Sequence, residues 1–171
     1  MSHQRWIISD THFGHENIIK YASRPFSAAK EMDRFMIEAW NEKVKPQDSI
    51  YHLGDVTMMR DGQGVGLMRY MSCLNGHKRL LLGNHDHFKT KWYLEWFEQI
   101  WGTHRIERRV ILSHIPLHPL SLPKGVVNVH GHIHEQPSFG DKWVNVCVEH
   151  TAYAPIAWED VMERAKKGME S

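Results

Sequence analysis

The chain has 171 residues, a length typical of one domain, and we treat residues 1–171 as a single unit. Its 21 Lys and Arg nearly balance 20 Asp and Glu, which excludes the broad basic field used in non-specific nucleic-acid binding. No stretch is long enough to span a bilayer, and the N-terminus has no apolar segment typical of a signal peptide. We therefore expect a cytoplasmic protein, with free thiols at Cys73 and Cys147.

The first half of the chain is predicted to alternate short apolar strands with helices. In order, we expect a strand at 5–9, helices at 16–21 and 28–43, a strand at 49–53, a loop at 61–66, a helix at 65–74 and a strand at 80–82. The helix at 28–43 is predicted from apolar residues at spacings of three and four. Pro46 would end this helical stretch.

The second half is predicted to contain more strands and a closing helix. We expect an aromatic helix at 90–100, one or two strands at 105–112, strands at 126–130 and 143–148, and an amphipathic helix at 155–167. Alternation of strands with helices predicts an α/β layered fold.

Polar residues follow five of the predicted strands, and histidine is abundant, with 14 in the chain. The residues at these strand ends are Asp10, His12, Asp55, Asn84, His85, His114, His132 and His134. In extended chain, residues i and i+2 point the same way, so each Asp-x-His or His-x-His pair could reach one centre. Carboxylate, imidazole and amide ligands favour Mn, Fe, Zn or Ni over an all-oxygen Mg or Ca site.

Read together, these blocks resemble the calcineurin-like metallophosphoesterase superfamily. The blocks are Asp10-Thr11-His12, Gly54-Asp55, Gly83-Asn84-His85-Asp86, Ser113-His114 and Gly131-His132-Ile133-His134, in the family's order. The resemblance implies two packed β-sheets flanked by helices in a four-layer αββα sandwich. It also implies two divalent metal ions at the strand ends, for which we favour manganese.

The resemblance further implies a role for each motif residue. The first metal would take Asp10, His12, Asp55 and His134, and the second would take Asp55, Asn84, His114 and His132. A hydroxide between the two ions would attack phosphorus directly. His85 would face the phosphate and stabilise or protonate the leaving oxygen, whereas Asp86 is predicted to hold its own turn.

Substrate contacts are predicted beside the first motif. The longer opening Asp10 to Asn17 is similar to small bacterial and phage phosphoesterases, and it places His15 and Asn17 beyond the metals. Arg24 could bind phosphate as a fork or form a surface salt bridge. The Asp-Arg-Gly block of the protein Ser/Thr phosphatases is absent, because Val56 follows Asp55.

We therefore predict a two-metal phosphoesterase that prefers a phosphodiester to a phosphomonoester. Its partner would be a small phosphorylated substrate, such as a nucleotide or a single-stranded nucleic-acid end, and no membrane. One alternative is a catalytically silent scaffold that binds a partner protein, although the ligands and His85 are all retained. Another is a single structural zinc site. The sequence predicts no oligomeric state.

Overall fold

Two β-sheets pack against each other in the computed structural model, which describes residues 3–59 and 63–170. The strands are β1 (Arg5–Ile8), β2 (Ser49–His52), β3 (His77–Leu81), β4 (Gln99–Trp101), β5 (Thr103–Glu107), β6 (Val110–Ser113), β7 (Val127–His130), β8 (Trp143–Asn145) and β9 (Ile156–Ala157). The α-helices are α1 (Glu16–Tyr21), α2 (Ala29–Lys43), α3 (Val65–Met71), α4 (Thr90–Tyr93) and α5 (Trp158–Glu170). Short 3₁₀ helices cover Pro119–Ser121 and Val148–His150.

The first sheet has the order β4-β3-β2-β1-β9. Strands β1 to β4 run parallel, with Ile7 opposite Tyr51 and His52 opposite Leu80, and β9 is antiparallel to β1. Parallel pairing requires a crossover between strands, and the segments that carry α1 and α2, then α3, then α4 provide the three crossovers. Three carboxyl ends that carry predicted site residues therefore lie at one edge of this sheet.

The second sheet has the order β5-β6-β7-β8. Strand β5 is antiparallel to β6 and contains a register shift between Arg105 and Glu107, whereas β6, β7 and β8 are parallel. A parallel bridge between Ser9 and Cys147 joins the chain just beyond β1 to the chain just beyond β8. The ends of the two sheets that carry predicted site residues therefore meet.

Side chains alternate between two hydrophobic clusters along the first sheet. Ile8 packs in the cluster that contains α2, whereas its neighbour Ile7 packs in the cluster between the sheets. The inter-sheet cluster also contains Val129 of β7 and Val161 of α5, both fully buried. Helix α5 contacts strands of both sheets. This arrangement confirms the predicted fold of two packed sheets flanked by helices.

Most predicted elements are present, with shifted ends, and two edge strands were not predicted. The aromatic segment predicted as a helix at 90–100 contains only the short α4 and then β4, because residues 99–101 pair with β3. The closing helix begins at Trp158, since Ile156 and Ala157 pair with β1. The loop predicted at 61–66 lies partly outside the described residues. Its described part leads directly into α3, which begins at Val65.

Among the residues that the structure describes, no helix combines the length and apolar character needed to cross a bilayer.

Candidate metal centre and active-site cleft

The strand ends converge where the two sheets meet. Asp10 and His12 follow β1, Asp55 follows β2, and Asn84 and His85 follow β3 in the first sheet. The second sheet provides three histidines beyond β6 and β7: His114, His132 and His134. In open α/β sheets, ligands bind outside the carboxyl ends of the strands, which is where these side chains lie.

The backbone at these positions is unusual. Five of the seven predicted metal ligands have positive φ angles: Asp10 (59°), His12 (48°), Asp55 (56°), His132 (72°) and His134 (47°). A non-glycine residue in this region costs on the order of 1–3 kcal/mol and persists only where its surroundings enforce it. The side chains therefore converge through a series of tight left-handed kinks. The extended i, i+2 geometry that we used to predict the pairs is wrong, although Asp10 and His12 do come together.

Two glycines allow the kinked segments to approach each other. A Cβ atom on Gly83 would collide with the backbone N and side chain of Asp55, and a Cβ atom on Gly131 would collide with the side chains of Ser9 and Asp10. Both glycines lie directly before predicted ligand segments. They are required because of close packing, and neither has a positive φ.

Asp10, His12 and His134 form one group whose ligand atoms all lie within 4.8 Å of one another. Oδ2 of Asp10 accepts hydrogen bonds from Ser9 Oγ, the backbone N–H of His132 and Cys147 Sγ. Oδ1 of Asp10 and Nε2 of His12 are buried and have no hydrogen-bond partner among the described residues. Buried polar atoms are normally hydrogen-bonded, so this pair of unpartnered donor atoms fits a cation.

A second group contains Asp10, Asp55 and His114. Oδ2 of Asp55 lies 3.4 Å from His12 Nε2 and 3.5 Å from His114 Nε2, between the two histidines. His114 Nε2 also lies 2.9 Å from Oδ1 of Asn84. Three of the four predicted ligands of the second metal, Asp55, Asn84 and His114, thus lie close together, whereas His132 belongs to neither group. Asp10 is shared by the two groups, whereas we predicted that Asp55 would be shared.

The charges of these groups depend strongly on one another. Burial alone would lower the pKa of His114, but its hydrogen bond with Asp55 and the charges of Asp10 and Asp55 raise that pKa to about 9. Burial would raise the pKa of Asp55, but the hydrogen bond and charge of His114 hold it well below its usual range. The carboxylates therefore favour positive charge beside them.

His132 and His85 face an open cleft of about 480 Å³ beside these groups. The ring of His132 packs edge-on against His114, with 5.0 Å between centroids. The ring of His85 lies 5.6 Å from that of His12, and its backbone N–H donates to Asp55. His85 thus lines the cleft beside the metal-capable groups.

Asp86 fixes the turn that carries Asn84 and His85. Its carboxylate accepts hydrogen bonds from the backbone N–H groups of Gly83, Asp55 and Val56. The Tyr93 hydroxyl donates to the same carboxylate at 3.3 Å. One side chain therefore joins the segment after β3 to the segment after β2, in agreement with its predicted anchoring role.

His15 and Asn17 both line the cleft, at the start of α1. The His15 ring lies 5.4 Å from that of His12, so it borders the metal-capable residues directly. Tyr21, which is 73% exposed, and Ile18 continue the same wall along α1. These positions are compatible with the predicted substrate contacts.

The structure contradicts the phosphate-binding role that we predicted for Arg24. Its side chain is buried, does not line the cleft, and uses its guanidinium within the protein. Nη1 donates to the carbonyl of Thr11, Nη2 donates to the carbonyl of Asp10, and Nε donates to Glu149. The salt-bridge alternative applies, except that the bridge is buried instead of lying on the surface.

Sequence reasoning missed Glu149. It lies in the 3₁₀ turn Val148–His150, where no motif marks it, and its Oε1 lies 3.2 Å from Nδ1 of His134. Only the folded structure brings it there, because 15 residues separate it from His134 and 125 separate it from Arg24.

Comparisons with known proteins agree with this architecture. The sequence model of the family described as "Calcineurin-like phosphoesterase" matches residues 4–166. An uncharacterized protein of Methanocaldococcus jannaschii is 32% identical over 170 residues, which cover 95% of this chain and 92% of that protein. The gene 66 proteins of two Mycobacterium phages are 31% and 33% identical over 81 residues, covering 47% of this chain and 39% of each phage protein.

A solved structure also resembles this fold. The crystal structure of a protein of unknown function from Aquifex aeolicus superposes with a TM-score of 0.74 and 28% sequence identity. The match covers 95% of this chain and 99% of the Aquifex chain.

Proposed function

Because the chain belongs to the calcineurin-like phosphoesterase family, we propose that it is a metal-dependent hydrolase of phosphodiesters. One observation carries this proposal. Buried, unpartnered ligand atoms of Asp10 and His12 lie next to Asp55, His114 and His134, at the base of an open cleft. A purely structural role would not require unpartnered polar atoms beside a cleft.

We assign two divalent ions to this cluster, with Asp55 shared between them. Asp10, His12, Asp55 and His134 would hold one ion, and Asp55, Asn84, His114 and His132 would hold the other. Such ions supply positive charge for the phosphate and lower the pKa of a bound water toward neutrality. The donors are oxygen and imidazole nitrogen, so Mn, Fe, Zn and Ni all fit, and manganese is our first choice.

His85 would act on the substrate, not on the ions. Its imidazole lines the cleft, whereas its backbone N–H is already held by Asp55. As an imidazolium it can stabilise charge on the phosphate and donate a proton to the leaving oxygen. A well-placed general acid accelerates a reaction by about 10²–10⁴-fold.

The charge of the cleft favours a diester over a monoester. The described residues that line it include Glu135 but no Lys or Arg, and Arg24 is turned away behind the ligands. A phosphomonoester carries a second negative charge near neutral pH, whereas a diester carries one. No Lys or Arg among the described cleft residues is therefore available to offset that additional charge.

The cleft walls support a substrate with an organic group on each side of phosphorus. Ile18, Tyr21 and Ile133 provide apolar and aromatic surface beside the polar His15 and Asn17. An exposed aromatic ring can stack on a nucleobase, an interaction that tolerates different bases. A nucleotide diester or a single-stranded nucleic-acid end is the substrate class that this combination fits.

Metal-dependent hydrolysis of model esters tests the proposal. The protein is stripped with chelator, and bis-p-nitrophenyl phosphate and p-nitrophenyl phosphate are assayed with and without added Mn²⁺. We expect hydrolysis that Mn²⁺ restores and chelator abolishes, with the diester cleaved faster. Asp10→Ala should abolish it, whereas Asp141→Ala, at an exposed loop position, should retain it.

The same experiment separates the alternatives. Metal binding without chelator-sensitive hydrolysis of either ester would favour the scaffold interpretation. One tightly bound metal per chain by elemental analysis would favour the structural zinc site. A positive result would lead to a screen of cyclic nucleotides, dinucleotides and single-stranded ends.

A further inference from the structure

The Arg24–Glu149 pair lies directly behind one of the two metal-capable groups. Its nearest atoms, Nη2 of Arg24 and Oε1 of Glu149, are 2.7 Å apart. The Arg24 side chain is fully buried and the Glu149 side chain is 4% exposed. A buried ion pair is costly to desolvate and contributes little net stability by itself, so its placement beside a site calls for a specific reason.

Glu149 constrains the proton on His134. Its Oε1 faces Nδ1 of His134 at 3.2 Å and also accepts from Nε of Arg24 at 2.9 Å. A carboxylate paired with an arginine is ionised and can only accept, so Nδ1 of His134 must carry a hydrogen. Nε2 is then the nitrogen with a free lone pair. It belongs to the ring that, with Asp10 and His12, forms the metal-capable group.

Arg24 constrains the other two members of that group. Its Nη2 donates to the carbonyl of Asp10 at 2.7 Å and its Nη1 donates to the carbonyl of Thr11 at 3.1 Å. These carbonyls belong to the kinked segment in which Asp10 and His12 both have positive φ angles. One guanidinium thus holds the segment that carries two ligands and, through Glu149, the ring that provides the third.

We propose that Arg24 and Glu149 are positioning residues that together set the geometry and affinity of the metal position formed by Asp10, His12 and His134. The inference rests on the proposed function only in assuming that this group binds a divalent ion. The second position is held differently, because His114 Nδ1 faces the backbone carbonyl of Leu53 at 2.8 Å. Loss of the pair should therefore affect one of two metal positions.

The variant Glu149→Gln removes the charge and keeps the size of the side chain. Its amide oxygen can still accept from Arg24 and His134. Its amide nitrogen would then occupy the place of Oε2, which is buried and has no partner among the described residues. Glu149→Ala removes the acceptor altogether. Partial loss in the Gln variant and greater loss in the Ala variant would separate the hydrogen bond from the charge.

Glu98 provides a matched control. Its carboxylate also contacts a histidine Nδ1, that of His77 at 2.6 Å, and an arginine, Arg79, at 3.4 Å. These residues are more exposed and line no part of the cleft. Glu98→Gln therefore changes the same chemical contacts away from the candidate centre.

The test is a Mn²⁺ titration of the chelator-stripped chain by calorimetry, together with ¹⁵N spectra of the histidine rings. We expect Glu149→Gln and Glu149→Ala to weaken one of two Mn²⁺ sites by about 10–100-fold, as is typical when the partner of a metal-bound histidine is lost. Glu98→Gln should bind as the wild type does. The spectra should show His134 protonated at Nδ1 in the wild type and a mixture of tautomers in Glu149→Ala.

Wild-type affinity at both sites in Glu149→Gln and Glu149→Ala, or an unchanged His134 tautomer in Glu149→Ala, would overturn the inference. If Glu149→Ala fails to fold, the Gln variant and its Mn²⁺ titration decide the question. Two-site Mn²⁺ binding that depends on Glu149, without ester hydrolysis by the wild type, would overturn the proposed function and leave this inference standing. Ester hydrolysis by the wild type, together with Mn²⁺ affinity that does not depend on Glu149, would overturn this inference and leave the proposed function standing.

Discussion

The backbone N–H of His85 donates a 2.8 Å hydrogen bond to Oδ1 of Asp55. The residue that we assign to the substrate is therefore attached through its main chain to a residue that we assign to the metals. The imidazole itself extends into the cleft. Side-chain and main-chain functions at this position can be separated by substitution, because removing the ring leaves the hydrogen bond to Asp55 in place.

We expect His85→Ala to lower turnover of bis-p-nitrophenyl phosphate by about 10²–10⁴-fold, the contribution typical of a general acid. Metal content should remain that of the wild type, since the imidazole is not among the proposed ligands. Steady-state kinetics and elemental analysis on the same preparation provide the two readouts. Loss of metal in this variant would make His85 a ligand and contradict the assignment.

Gly83 should not tolerate even a methyl group. A Cβ atom there would collide with the backbone N and side chain of Asp55, so Gly83→Ala must displace a proposed ligand. Overpacking of this kind costs typically about 1–3 kcal/mol in the free energy of unfolding. We expect that loss in urea denaturation, together with weaker Mn²⁺ binding.

Gly102 is the matched control for this substitution. Apart from its chain neighbours, no atom of the described residues lies within 4 Å of a Cβ built on it, and its φ is not in the left-handed region. Gly102→Ala should leave both stability and Mn²⁺ binding close to the wild-type values. Equal behaviour of the two alanine variants would show that the contact between Gly83 and Asp55 is unimportant.

The sequence predicted the ligand positions better than the geometry that unites them. A residue such as His114 could be found because it follows an apolar strand within a recognisable motif. The left-handed kinks at Asp10 and His12 carry only a weak local signal, since neither residue is a glycine and Asp and His adopt this region only occasionally. The motifs at the strand ends indicate which residues approach one another. The backbone conformation that orients their side chains depends on tertiary contacts.

Residues that act through the ligands were harder to predict than the ligands. Arg24 was predicted to contact the substrate phosphate, because residue type alone does not reveal whether a side chain faces the cleft or the protein interior. Its buried ion-pair partner is Glu149, which lies 125 positions away in the chain. The edge strands β4 and β9 were missed for a related reason: they have three and two residues, too few for a periodic pattern.

The two cysteines should react very differently with a thiol reagent. Cys73 is exposed, whereas Cys147 is buried and its thiol donates to Oδ2 of Asp10. Burial, together with the charges of Asp10 and Glu149, raises the pKa of Cys147, so little thiolate forms there. We expect one equivalent of 5,5′-dithiobis(2-nitrobenzoate) to react quickly in the native protein and a second only after denaturation.

Cys73→Ser identifies the fast thiol in this experiment. The variant should show no rapid reaction in the native state and one equivalent in denaturant. Rapid labelling of native Cys73→Ser would mean that Cys147 is accessible and that the region around Asp10 opens readily.

His104 should make folding stability depend on pH. Its ring stacks on Trp101 with 4.1 Å between centroids, and burial, assisted by the charge of Arg79, lowers its pKa below the usual 6.5. The unfolded chain then takes up a proton before the folded chain does, so the free energy of unfolding falls as the pH drops below about 6.5. Urea denaturation at pH 7.5 and 5.5 measures this loss.

His104→Phe keeps an aromatic ring and removes the titrating group. We expect a smaller difference in stability between the two pH values in this variant than in the wild type. Other buried histidines contribute equally to both proteins, so the comparison isolates His104. An identical pH dependence in the two proteins would contradict the prediction.

The bridge between Ser9 and Cys147 brings the two sheets together at the candidate metal centre. Asp10, His12, Asp55 and Asn84 arise from the first sheet, and the three remaining proposed ligands arise from the second. An ion coordinated by residues from both sets would cross-link the two sheets where they meet. Sliding of one sheet past the other would then require the ion to leave, and Mn²⁺ at 100 times the Kd of a site would add about 2.7 kcal/mol per site to the free energy of unfolding. Metal binding would thus hold the two sheets in place as well as prepare the site for catalysis.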